Sequence, residues 1–134
     1  MNRRATFGVI GAYGATGRAV VAELLRSTQD NILLGGRDSA KLKACAAEFG
    51  SRVSPLSVDV QAPYSLDAFC RECSVVVNCG GPVNVLEDRV AQAALRGRCH
   101  YVDPAGMPFV KERLLPHHEE IAGHELSFVV SAGW

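Results

Sequence analysis

The 134-residue sequence has no net charge: 14 lysines and arginines stand against 14 aspartates and glutamates. Without a field of one sign there is nothing to draw in a polyanion, so nucleic acid and an anionic membrane surface are not expected partners. There is no apolar run of membrane-spanning length, and Met-Asn-Arg-Arg leads into the first strand-like segment without the apolar core of a secretory signal. A soluble cytoplasmic protein is expected. The five cysteines, Cys45, Cys70, Cys73, Cys79 and Cys99, are odd in number and scattered through apolar segments, unlike a secreted disulfide framework, and are expected to be reduced. Cys70 and Cys73 form one C-x-x-C, but no second such pair and no spaced histidine pair completes a zinc set. His117, His118 and His124 fall on or after a polar helix and read as surface, so no metal site is expected. Residues 1–134 fit one domain, long enough for a real core but short for an enzyme that must hold both a dinucleotide and a substrate.

What the chain does have is glycine at a marked corner. The stretch 9–17, Val-Ile-Gly-Ala-Tyr-Gly-Ala-Thr-Gly, follows a β-branched and aromatic segment, Thr6 to Ile10, and leads into an alanine-, valine- and leucine-rich segment. A strand turning straight into a helix presents the unpaired N–H groups of the helix start, with the positive end of its dipole behind them, to a pyrophosphate. Gly11 suits the tight turn, Gly14 the close approach of phosphate, and Gly17 the packing of helix on strand. Ala12 stands where the dinucleotide fingerprint has its second glycine, so the spacing is G-x-x-G-x-x-G. The expected cradle is Gly11, Ala12, Tyr13, Gly14, Ala15, Thr16 and Gly17.

Strands and helices then alternate. A helix is predicted from Ala15 to about Arg26, a strand at Asn31 to Gly36, and a helix capped by Asp38 or Ser39 that runs to Phe49 and stops at Gly50. A third strand is predicted at Val53 to Val60, a helix from Ser65 to about Cys73, and a fourth strand at Ser74 to Cys79. A helix over 84–96 ends before Gly97; a fifth strand lies at Cys99 to Val102, a helix with a break at Pro116 spans about Pro108 to Ala122, and a sixth strand lies at Leu126 to Ser131. The fold class is α/β: a doubly wound parallel sheet of about six strands in three layers, the Rossmann type with order 3-2-1-4-5-6, which puts the glycine corner at the crevice. The chain stops just after the sixth strand, as expected of a cut made between domains.

The end of the second strand selects the coenzyme. NAD calls for a carboxylate there, about 20 residues beyond the last glycine, to accept from the ribose hydroxyls. Here Gly35 and Gly36 occupy that slot and Arg37 follows, 37 − 17 = 20 positions after Gly17. Arginine offers paired charged hydrogen bonds to a 2′-phosphate, Ser39 a hydroxyl and Lys41 a further charge, so NADP is expected. Asp38 leaves NAD as the alternative if the tip is longer. By the same topology Asp59 and Val60 should flank the adenine, a turn residue before Pro63 being the other reading of Asp59, and Asn78, Cys79, Gly80, Gly81 and Pro82 should form the wall by the pyrophosphate and nicotinamide ribose.

Four segments in order, Gly-Ala-Tyr-Gly-Ala-Thr-Gly-Arg at 11–18, Gly-Gly-Arg at 35–37, Val-Val-Asn-Cys-Gly-Gly-Pro at 76–82 and Cys-His-Tyr-Val-Asp at 99–103, resemble the amino-terminal nucleotide-binding domain of the saccharopine dehydrogenase-like family. The resemblance implies an NAD(P)-dependent oxidoreductase whose second domain closes over the nicotinamide and supplies much of the site for a small-molecule substrate. Where that family often has an acidic residue soon after the Tyr-x-Asp segment, this sequence has Pro-Ala-Gly-Met at 104–107. The Tyr-x-x-x-Lys pair of short-chain dehydrogenases is absent, because Tyr13, Tyr64 and Tyr101 are followed four positions on by Gly17, Ala68 and Ala105. Tyr101 and Asp103 share a strand face and are the catalytic candidates; the other reading is a core tyrosine with a satisfied hydroxyl and a turn aspartate before Pro104. A non-catalytic NADP(H)-sensing module is the alternative function, and a homo-oligomer is left open.

Overall fold

A computed structural model describes residues 4–81, 86–105 and 107–133. Six parallel strands form one sheet in the order β3-β2-β1-β4-β5-β6. They are β1 (Thr6–Ile10), β2 (Asn31–Gly36), β3 (Val53–Ser57), β4 (Val75–Asn78), β5 (His100–Val102) and β6 (Phe128–Val129). The helices between them are α1 (Ala15–Ser27), α2 (Ser39–Phe49), α3 (Pro63–Arg71), α4 (Arg89–Arg96), α5 (Pro108–Leu114) and α6 (His118–Gly123), with a 3₁₀ turn at Leu115–His117. The doubly wound order expected from the alternation is the one observed.

Two apolar layers cover the sheet. Val9, Ile32 and Leu34 meet Val21 of α1 and Leu42 of α2 on one face, while Ile10, Val76 and Tyr101 meet Phe69 of α3 and Val90 of α4 on the other. Alternate residues of β1 thus serve opposite layers, as a pleated strand with both faces covered requires. The Phe69 ring lies close enough to the sheet that a Cβ on Gly8 or Gly35 would stand 2.7 or 2.8 Å from it. Glycine in these neighbouring strands therefore makes room for an aromatic ring.

Element ends differ from expectation where local hydrogen bonds intervene. β3 stops at Ser57 rather than Val60: the Asp59 carboxylate accepts from the Gln61 N–H (2.9 Å), and the Ser65 hydroxyl accepts from the Asp59 N–H (3.0 Å), which turns the chain into α3. β6 is confined to two residues, with left-handed Glu125 (φ 56°) and Ser131 (φ 60°) on either side. Pro116 breaks the last helical segment as predicted, lying in the 3₁₀ turn between α5 and α6. Asn84, the predicted start of the helix over 84–96, lies outside the described residues, as do Pro82, Gly106 and Trp134; the described helix begins at Arg89. Past its end the left-handed residue is Arg98 (φ 55°), whereas Gly97 is right-handed, with Cys70 Cβ 3.2 Å from where its own Cβ would be.

Candidate functional site

A cleft of about 340 Å³ opens at the carboxyl ends of β1, β2 and β4, where the winding of the sheet reverses. Its floor is the β1–α1 corner. Gly11 has φ 76°, its N–H donates to the Gly35 carbonyl at 3.0 Å, and a Cβ there would stand 2.6 Å from the Cys79 carbonyl oxygen. Gly17 is tighter still, since its Cβ would lie 2.2 Å from the Gly11 carbonyl oxygen. Gly14 is different. It caps α1 in extended conformation (φ −77°, ψ 168°), and the nearest atom to an added Cβ is 3.4 Å away.

The start of α1 has no side-chain cap and no acidic residue in its first turn. Its ladder begins with Arg18 N–H donating to the Gly14 carbonyl (2.9 Å), so the N–H groups of Ala15, Thr16 and Gly17 precede it. Gly14, Ala15 and Thr16 are all exposed, which leaves this positive helix end open to an anion. Ala12, expected in the cradle, has its side chain fully buried between β1, α1 and α2, and its N–H already points at the Gly35 carbonyl (3.4 Å). That inward orientation explains why a methyl group is accommodated where the fingerprint has glycine.

At the β2 end the Tyr13 ring lies over Gly36, whose Cβ would come within 2.6 Å of it. The Tyr13 hydroxyl accepts from the Asp38 N–H (3.4 Å), and the Lys41 ammonium stands 5.7 Å from the ring centroid. Asp38 caps α2, its carboxylate accepting from the Lys41 N–H at 3.0 Å. One oxygen of the carboxylate that would have served an NAD ribose is thus taken by the helix start. Arg37 lines the cleft, and its guanidinium joins no ion pair among the described residues. Ser39 is exposed in the first turn of α2. Asp59 and Val60 line the side beyond β3, together with Gln61.

The opposite wall is Cys79, Gly80 and Gly81. Burial pushes the Cys79 thiol up to about 11, so little of it is thiolate near neutral pH. Asn78 is buried behind the wall. Its Oδ1 accepts from the Gly80 N–H (3.1 Å) and its Nδ2 donates to the Tyr101 hydroxyl (3.4 Å). Tyr101, only 1% exposed, donates to Asp103 Oδ2 (2.8 Å), and burial drives its phenol well above the ordinary range. Asp103 Oδ1 accepts from the N–H groups of Ala105 (3.2 Å) and Ser131 (3.0 Å). Tyr101 and Asp103 do not line the cleft, and their polar atoms are engaged with each other; the core reading of Tyr101 describes its surroundings.

The C-x-x-C is a packing feature. Cys73 Sγ donates to the Phe69 carbonyl (3.3 Å), Cys99 Sγ to the Cys70 carbonyl (2.8 Å), and no group of residues suited to a metal ion occurs among the described residues. Gly36, read from sequence only as a vacated acidic position, also lines the cleft, and so do Ile10, Val58, Gln61 and Leu86, which were not read as site residues. Only Gln61 carried a signal, as the second residue after Asp59; the apolar ones look like any core residue until the strands are placed.

Residues 7–128 match the family described as Saccharopine dehydrogenase NADP binding domain. A protein of Arabidopsis thaliana named "Probable mitochondrial saccharopine dehydrogenase-like oxidoreductase" is 30% identical over 92% of this chain and 30% of its own length. A "Lipid droplet localized protein" of Caenorhabditis elegans is 32% identical over 94% of this chain and 32% of its own length. The chain spans about a third of the length of these curated relatives. Apo saccharopine dehydrogenase (L-Glu forming) from Saccharomyces cerevisiae superposes with a TM-score of 0.79 at 22% identity, covering 96% of this chain and 27% of that one, a likeness of fold.

Proposed function

The chain belongs to the saccharopine dehydrogenase NADP binding domain family, and from that premise we propose that it is the coenzyme-binding part of an oxidoreductase that passes a hydride between NADP(H) and a small metabolite. The observation that carries this reading is the uncapped start of α1 opening into the same cleft as Arg37. A diphosphate would accept from the N–H groups of Ala15, Thr16 and Gly17 beside Gly14, and a 2′-phosphate would pair with Arg37, with Ser39 and Lys41 adding a hydroxyl and a charge. Asp59 and Val60 would flank the adenine; Asn78, Cys79, Gly80 and Gly81 would shape the wall near the nicotinamide ribose. When bound, the nicotinamide supplies or accepts the hydride, and this chain's residues hold and orient it.

We assign no proton transfer to Tyr101 or Asp103, whose polar atoms are taken up by one another, by Asn78 and by backbone N–H groups. Residues 1–134 form one domain in this reading. The substrate pocket and the proton donor are assigned to the further length by which the relatives exceed this chain. No helix among the described residues is long and apolar enough to cross a membrane. The cytoplasm is the proposed compartment on composition alone; the names of two relatives carry mitochondrial and lipid-droplet locations, and imaging of the tagged natural protein decides among the three.

Titration of NADP⁺ and NAD⁺ against the chain and against Arg37→Asp tests the reading. The wild type should prefer NADP⁺, and the variant should move the ratio toward NAD⁺ by more than about tenfold, about 1.4 kcal/mol, through loss of the phosphate partner and new repulsion. An unchanged ratio would remove Arg37 from the site.

A further inference from the structure

Three buried side chains join the ends of β4, β5 and β6. Among the described residues, the three groups hydrogen-bonded to the Asp103 carboxylate are all donors: the N–H groups of Ala105 and Ser131 on Oδ1, and the Tyr101 hydroxyl on Oδ2. The one hydroxyl proton of Tyr101 is therefore committed to Asp103, and its oxygen is left to accept. Asn78 supplies that donor with Nδ2, which turns Oδ1 toward the Gly80 N–H. The polarity of the chain runs one way, from Asp103 to Gly80. At its far end the Gly80 nitrogen lies 2.7 Å from where a Cβ on Gly11 would sit, so this peptide packs directly against the phosphate corner.

We infer that Tyr101 and Asp103 are positioning residues for the coenzyme cleft, acting through the amide orientation of Asn78 to fix the Gly80 peptide. The inference rests on the NADP reading above. Neither residue touches the cleft; both set the shape of the wall that faces the glycine corner. Asp103→Asn reverses the polarity. With its carbonyl oxygen held by the Ala105 and Ser131 N–H groups, the substituted side chain would present an amide donor to the Tyr101 oxygen. The tyrosine proton would then turn to Asn78, and an NH₂ group would face the Gly80 N–H.

The test uses the 134-residue chain and two ligands, NADP⁺ and adenosine 2′-phosphate, which carries the 2′-phosphate but neither the diphosphate nor the nicotinamide half. Asp103→Asn and Tyr101→Phe should each weaken NADP⁺ about tenfold and leave adenosine 2′-phosphate within about twofold, because Arg37 is untouched. Adding Asp103→Asn to Tyr101→Phe should cost nothing further, since the connection is already cut. Unchanged NADP⁺ binding, a parallel loss of both ligands, or an additive double variant would overturn the inference. Should Asp103→Asn fail to fold, Tyr101→Phe, which removes one oxygen, decides by the same two-ligand comparison. Failure of the wild type to bind NADP⁺ is a separate outcome that overturns the coenzyme reading, and the inference with it.

Discussion

On one side of the cleft the start of α1 is uncapped and Arg37 joins no ion pair among the described residues, with Ser39 exposed nearby in α2; behind the facing wall Asn78, Tyr101 and Asp103 are 7%, 1% and 4% exposed and satisfy one another. The contrast follows from water. Exposed donors cost little while solvent pairs with them, and an anion can take the place of that solvent; buried polar groups have no such recourse and must be paired internally. The open wall can therefore take a ligand in place of solvent, and the closed wall is complete already. Substitutions on the first should register in affinity alone. Those on the second should register in the fold, or in affinity by way of it.

The widest separation should come from two glycines three positions apart. Gly17→Val would drive a Cβ to 2.2 Å from a backbone oxygen and should cost at least about 3 kcal/mol, on the order of 10 °C in Tm. Thermal unfolding measures it, and a Tm equal to wild type would mean the corner is looser than described. Gly14→Val, with room for a Cβ and extended backbone, should keep Tm within about 2 °C yet lower NADP⁺ affinity more than about tenfold by blocking the phosphate approach. Calorimetric titration showing normal binding would put the diphosphate elsewhere.

Alkali should act on the closed side. Burial raises the Cys79 and Cys99 thiols from an ordinary 9.0 to about 11, so the folded chain holds these protons more tightly than the unfolded one. Their contribution to stability is complete below about pH 9 and is lost as pH rises from about 9 toward 11. Tm should thus be level from about pH 7 to 8.5 and fall above about pH 9, and Cys79→Ala should reduce the fall. An identical alkaline slope in that variant would show the thiol does not contribute. The smallest effect belongs to the open wall: Ser39→Ala should weaken NADP⁺ about threefold and leave NAD⁺ and Tm unchanged, because Asp38 and not Ser39 caps α2. A drop in Tm would assign Ser39 to the helix instead of the ligand.

Much of this was legible in the residues. β2 was readable to its ends because Ile32, Leu33 and Leu34 are bounded by Gly35 and Gly36, and α2 because Asp38 and Gly50 cap and stop it. The corner at 11–17 was placed correctly as a strand-to-helix turn. The purpose of particular glycines was less visible: Gly35 and Gly36 read as vacated acidic positions, while the fold uses them to seat Phe69 and Tyr13. Ala12 read as a departure from a ligand motif and is a core residue. β3 and β6 came out shorter than their apolar patterns, because Asp59 and Ser131 turn the chain by local bonding that periodicity does not register.

The number of strands, their winding and the location of the glycine corner were determined by the sequence alone, since each depends on periodicity and turn chemistry within a few residues. Which glycine faces open space, and which polar side chains meet, was decided only by the tertiary structure. Asn78 and Tyr101 are 23 positions apart, and Asp103 and Ser131 28 apart; they join because parallel pairing of β4, β5 and β6 brings their carboxyl ends side by side. Such registers arise from the packing of the whole sheet, so no short stretch of chain carries them.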